Sequence, residues 1–190
     1  MSFRFATAER PDVSVAVFLA LLLGVVACSP ARADVSKRPV DESLSLKLNS
    51  LNYTDVPIGI FYVDGTSGGT SPSRLGSGGG AILCCVSLPK KWHPGLTVNV
   101  SWQDDILYKK DENAMAHRVV PVEKYDYFSD GFLWVLFFPD DKIKVYASQW
   151  MPGFPGFPEG LQAPDEACPV NFKLLNRDPR CPKPDPRIKP

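Results

Sequence analysis

The sequence predicts an all-β protein: a single antiparallel, β-sandwich-like domain followed by an irregular, Pro-rich C-terminal tail. Three observations carry this expectation. Short apolar or alternating runs recur along the chain, each bounded by turn residues. Pro (19) and Gly (14) make up about a sixth of the 190 residues, a composition that favours turns over long regular elements. No sustained helical period is present; residues 104–116 alone have room for a short helix.

Residues 1–27 are set apart as a signal peptide. Positions 13–27 read VSVAVFLALLLGVVA. This uncharged stretch is shorter than the ~20 residues a membrane-spanning helix needs, and it fits the apolar core of an export signal. Val25-Val26-Ala27-Cys28 has the form of a lipobox, so Cys28 is the expected lipidation site. Ala31-Arg32-Ala33 offers ordinary signal peptidase an alternative cut, which would release a soluble periplasmic protein. Cysteine parity favours the lipidated form. Removing Cys28 from the five cysteines leaves an even set, Cys84, Cys85, Cys168 and Cys181, as an oxidising compartment leads one to expect. Ser29 stands where an inner-membrane retention signal usually places Asp, so the expected location is the outer membrane, facing the periplasm.

Residues 28–43 are polar and read as a lipidated tether. The β domain is expected over 44–150. Leu44, Leu46 and Leu48 alternate with polar residues, and 58–63 (IGIFYV) forms a strand ending at the turn signal Asp64-Gly65. Residues 65–80 (GTSGGTSPSRLGSGGG) read as a flexible loop. A buried strand is expected at 81–88, and the clearest half-buried strand is at 96–102, where Leu96, Val98, Val100 and Trp102 alternate with polar residues. A further strand falls at 117–122. Residues 132–138 (FLWVLFF) are apolar on both faces, which places them centrally in a sheet. Asp140-Asp141 turns the chain into a hairpin partner at 143–147. Residues 151–190 form a Pro-rich tail packed on the domain. The total is roughly six strands.

Formal net charge is zero, with 21 basic and 21 acidic side chains. A basic footprint for nucleic acid is therefore missing from the totals. Only His93 and His117 are available for histidine chemistry. Ser87, His93 and Asp104 lack the Gly-x-Ser-x-Gly context of a nucleophile elbow. Residues 76–80 (GSGGG) lack the Gly-Lys-Ser/Thr ending of a phosphate loop. Zinc spacing of cysteines is absent. No enzymatic activity, catalytic residue, cofactor or metal is expected. Adjacent cysteines on a strand point to opposite faces, so one or both of Cys84 and Cys85 are expected to bond to Cys168 or Cys181 and pin the tail to the sheet. Trp102 and Trp134 are expected in the core. Trp92, His93, Trp150, Phe154 and Phe157 lie in turn-like or Pro/Gly surroundings and are the candidate partner-binding residues.

One string is more specific. Gly78-Gly79-Gly80, then Cys84-Cys85-Val86-Ser87-Leu88-Pro89, the basic pair Lys90-Lys91, Trp92, Pro94-Gly95-Leu96-Thr97-Val98 and Trp102 resembles the proteobacterial lipoproteins catalogued as domain of unknown function 3304. Asn52-Tyr53-Thr54-Asp55, residues 60–65 and residues 142–145 are similar to further parts of that pattern, which covers most of 48–150. His93 stands where the pattern more often has Arg. The resemblance implies a lipoprotein encoded beside type VI secretion lipase effectors, acting as a periplasmic immunity protein. The implied partner is a toxic phospholipase, with the membrane engaged through the lipid anchor. A structural or assembly lipoprotein of the envelope, with no toxin partner, is the alternative.

Overall fold

The computed structural model describes residues 42–128 and 130–183. The leader and Cys28 lie outside the described residues. Among the described residues the chain forms eight strands: β1 (Ser43–Asn52), β2 (Ile58–Val63), β3 (Thr66–Ser71), β4 (Leu83–Pro89), β5 (Thr97–Asp104), β6 (Ala116–Pro121), β7 (Phe132–Phe138) and β8 (Lys142–Ser148). One short helix, α1 (Asp105–Lys110), follows β5. The strands make two four-stranded sheets, sheet A in the order β4-β1-β7-β8 and sheet B in the order β3-β2-β5-β6. Pairing is antiparallel except between β1 and β7, which run parallel with Lys47 opposite Phe132 and Asn52 opposite Phe137. The predicted all-β sandwich is the fold.

The alternation in the sequence builds the space between the sheets. Leu44, Leu46 and Leu48 of β1 face Ile58, Phe61 and Val63 of β2 and Val98, Val100 and Trp102 of β5, all almost fully buried. Each such side chain contributes roughly 1.5–3 kcal/mol by leaving water. The outward neighbours on β5, Thr97 and Asn99, are exposed, as a period of two requires. Strand β7 is central, and its residues from Leu133 to Phe138 are all buried.

Sheet A is buried on its outer face as well. Trp134, Leu136 and Phe138 of β7, Leu51 and Tyr53 near the end of β1, and Tyr146 of β8 form a second apolar layer with Phe157, Leu161 and Ala167 of the tail. Phe157 meets Trp134 edge-on at 5.6 Å. Tyr53 stacks on Phe138 at 4.8 Å, and its hydroxyl donates to the Gln162 carbonyl at 2.7 Å. Burial pushes the Tyr53 hydroxyl's pKa up. The tail is thus a third layer, and its irregular backbone is satisfied by its own turns and by contacts such as Gln162 N–H to Phe172 O at 2.9 Å.

Residues 65–80 correct the expectation of a flexible loop: they hold β3, one of the eight strands. Asp64 and Gly65 both have positive φ (48° and 83°), the two-residue hairpin geometry that suits twisted antiparallel strands. It returns the chain as β3, paired with β2. The glycines that suggested disorder serve packing. Between Phe61 opposite Gly69 and Tyr62 opposite Ser67 the register slips, leaving Gly68 as a bulged residue. A Cβ at Gly68 would collide with the ring of Phe61.

The expected pairing of the cysteines is also corrected. Cys84 bonds to Cys85, through a cis peptide, and Cys168 bonds to Cys181. All four are disulfide-bonded, but neither bond ties the tail to the sheet. The opposed directions of adjacent side chains hold for a regular strand, and β4 is irregular here. Leu46 faces Val86 and Leu48 faces Leu83, so Cys84 and Cys85 together oppose Lys47, the arrangement of a β-bulge. Apolar burial, rather than a covalent link, fixes the tail.

Candidate functional site

Strand directions divide the sandwich into two ends. Ser43, Val63, Pro89, Thr97, Pro121, Phe132 and Ser148 lie at the end where the chain enters the domain, as the registers show: Ser43 opposite Pro89, Thr97 opposite Pro121, Phe132 opposite Ser148. Asn52, Ile58, Ser71, Asp104, Phe138 and Lys142 lie at the far end. This division separates the expected site residues.

Trp92 and His93 sit at the entry end. Trp92 is half-buried against the core, and its indole N–H donates to the Val122 carbonyl at 2.9 Å. It is a packing residue with one exposed flank. His93 is exposed. Trp150 and Phe154 are exposed at the same end, 46% and 56% respectively, with Met151 between them at 41%. Phe157 is a correction: it is 2% exposed, held under the tail against Trp134, and has no surface to offer a partner. Residues 72–80 lie at the far end, where the Gly78 carbonyl accepts from Asn52 N–H. They do not converge with Trp92 and Trp150.

Chemistry-bearing residues are not assembled either. Ser87 lies on edge strand β4, and His93 and Asp104 are separated by the length of β5, roughly 23 Å for seven residue steps. The Asp104 carboxylate caps α1, accepting from Ile106 N–H at 2.9 Å and Leu107 N–H at 2.8 Å. Asp140 and Asp141 take positive φ in the β7–β8 turn (60° and 54°). These three carboxylates line a cavity of about 220 Å³ at the far end, between Trp102, Ile58 and Phe137. Among the described residues, no group of three or more His, Cys, Asp or Glu is placed to hold a metal.

A charged cluster stands where β8 meets the tail. Glu159 accepts hydrogen bonds from Lys144 and from the Tyr146 hydroxyl, with Lys173 4.0 Å away. Burial works against the Glu159 charge, but the Lys144 and Tyr146 hydrogen bonds and both lysine charges outweigh it, so its pKa is lowered. Tyr146 moves upward, through burial first and then through its bond to Glu159. The cluster fastens the tail's turn at 158–160 to β8.

The surface that the sequence reading missed is the outer face of sheet B. Sheet A is covered by the tail; among the described residues sheet B has no such cover. Tyr62, Ser101 and His117 form one cross-strand row, Asn99 and Val119 another. Val119 is 68% exposed. Helix α1 extends this face at the far end, where Tyr108 with Ile60, Gly59 and Gln103 lines a shallow pocket of about 300 Å³. Tyr108 and Ile106 are exposed. The Gln103 side chain is fixed by donating to the Glu112 and Ala114 carbonyls, both at 2.8 Å. A signal was present in the sequence: Val119 is out of phase with the core positions Val120 and Val122, so one of the set had to face outward.

The pattern of a family described as Protein of unknown function (DUF3304) matches residues 51–145, half of the chain, and the chain belongs to this family. No curated protein and no solved structure matches it. The match spans the whole of sheet B and stops short of the tail. The specific string read in the sequence builds the fold: Asn52 and Thr54 close the turn after β1, Asp55 pairs with Arg74 at 2.8 Å, Cys84-Cys85 makes the bulge, and Trp102 fills the core.

Proposed function

We propose that this chain is an envelope lipoprotein, anchored through Cys28 and facing the periplasm, whose sandwich binds and neutralises a type VI secretion phospholipase effector. The observation that carries the partner-binding reading is the asymmetry of the two sheets. One outer face is sealed by the chain's own tail. Among the described residues the other is left open, with Val119 and Tyr108 exposed on it. Exposed apolar groups on a rigid sheet and on the helix that extends it suit a protein-binding surface, and Tyr is among the residues that anchor interfaces. Four strands of about six residues project on the order of 400 Å². A standard partner covers ~800 Å², so α1 and the Trp92–His93 turn complete the footprint.

The reading is tested by mixing the purified protein with the phospholipase encoded beside it and following lipid hydrolysis. Stoichiometric inhibition is expected, reduced tenfold or more by Val119→Asp or Tyr108→Ala. Both positions are exposed, so neither change should cost much stability. No inhibition of any neighbouring phospholipase removes the proposal. The anchor is tested separately: palmitate labelling should be lost in Cys28→Ala.

A further inference from the structure

We infer that the entry end of the sandwich faces the lipid bilayer, and that the Trp150–Met151–Phe154 turn seats in the bilayer interface. The inference goes beyond the effector reading and rests only on its anchor through Cys28. It starts from where the exposed apolar side chains lie. Trp150, Met151 and Phe154 fall within five residues and are each two-fifths exposed or more. Trp and Phe are the side chains that settle at the level of lipid headgroups.

Two features suit this turn to that environment. Four of its backbone N–H groups are already paired, which an apolar boundary favours. Trp150 N–H donates to the Ser148 hydroxyl at 3.0 Å, Gly153 N–H to Leu161 O at 2.9 Å, Phe154 N–H to Met151 O at 3.3 Å and Phe157 N–H to Phe154 O at 2.9 Å. The turn is also pre-shaped. The Trp150 ring lies against Gly156, where any Cβ would collide with it, and Phe157 is sunk beneath the tail. Little ordering is left to be done on contact with lipid.

Strand register supplies the orientation. Trp150 lies two residues beyond Ser148, which pairs with Phe132, and Phe132 pairs with Lys47 of β1. Strand β1 begins four residues earlier, at Ser43. The chain therefore enters the domain at the end that carries the aromatic turn. In the sequence, Cys28 precedes Glu42 by 14 positions. An acyl anchor at Cys28 is joined to the domain through this end and not through the far one. Lys90 and Lys91 lie beside the entry, where Lys90 N–H bonds to Glu42 O at 2.8 Å, and they place positive charge toward lipid phosphates. With this end down, the open face of sheet B stands sideways to the membrane.

The test reconstitutes the full-length lipidated protein into phosphatidylethanolamine–phosphatidylglycerol vesicles, with and without bromine on the acyl chains, and measures tryptophan fluorescence. Brominated lipid should quench the emission, and Trp150→Phe should remove at least half of that quenching while Trp102→Phe, at the far end, leaves it. Phe154→Ser should weaken the quenching several-fold without changing the thermal transition. Bound protein whose quenching is absent, or is unchanged in Trp150→Phe, overturns the inference; so does a chain that carries no acyl group and stays off the vesicles. Protection of Trp150 by a bound effector, without quenching by lipid, gives the turn to the protein partner instead. The effector assay is independent of this readout, so the two proposals fail separately.

Discussion

Phe157 and Phe154 stand three residues apart in the same Pro/Gly-rich segment, and the structure assigns them opposite energetic roles. Phe157 is 2% exposed and packs edge-on against Trp134 at 5.6 Å. Phe154 is 56% exposed. Truncating a buried Phe removes its transfer energy and leaves a cavity, at about 3–5 kcal/mol. The edge-on aromatic pair adds about 0.5–1.5 kcal/mol beyond area, and that is contained within the same range. Phe157→Ala is therefore expected to destabilise by about 3–4 kcal/mol, because the tail can relax to fill part of the space. Phe154→Ala should change stability by less than about 0.5 kcal/mol. Equilibrium urea denaturation followed by tryptophan fluorescence measures both. With a slope of about 2 kcal/mol/M, the Phe157→Ala midpoint should fall by about 1.5–2 M while the Phe154→Ala midpoint stays in place. Equal, small shifts for the two variants would refute the reasoning, since the tail would then be an ornament on sheet A and not one of its layers.

The remaining expectations use the same measurement. Asp104→Ala removes the acceptor for Ile106 and Leu107 N–H and should cost about 1 kcal/mol, with Asp104→Asn recovering most of it. Glu159 has a pKa lowered in the folded state, so its contribution is present above its unfolded value and is lost as pH falls through the folded value. Tyr146 has its pKa raised, so its contribution is present below its unfolded value and is lost as pH rises toward the folded one. Glu159→Gln should therefore flatten the acid limb of a stability-against-pH curve; an unchanged acid limb would discount the cluster. The Cys168–Cys181 bond spans 13 positions, and Cys168→Ser together with Cys181→Ser should cost about 3 kcal/mol by loop entropy. The Cys84–Cys85 bond closes no loop of chain, so the paired change to Ala there should cost far less; the reverse ranking would count against the entropic argument.

The amino-acid sequence alone determined most of the strand segments and which of their faces are apolar. Val98, Val100 and Trp102 against Thr97, Asn99 and Ser101 needed only the period of two, and FLWVLFF could be placed at the centre of a sheet because both its faces are apolar. Local chemistry also marked the turns at Asp64-Gly65 and Asp140-Asp141. Other features depended on residues distant in the chain. Thr66–Ser71 has no apolar pattern and becomes a strand because β2 offers it a ladder and Phe61 needs the space above Gly68. Phe157 is buried because Trp134, 23 positions earlier, opens a slot for it, whereas Phe154, with the same neighbours in sequence, finds none. Cys84 pairs with Cys85 because β4 bulges opposite Lys47. Which sheet face is covered was decided by where the tail lands, and composition holds no record of that. Periodicity is a property of neighbours along the chain, while burial is a property of neighbours in space, and in this protein the tail is where the two part company.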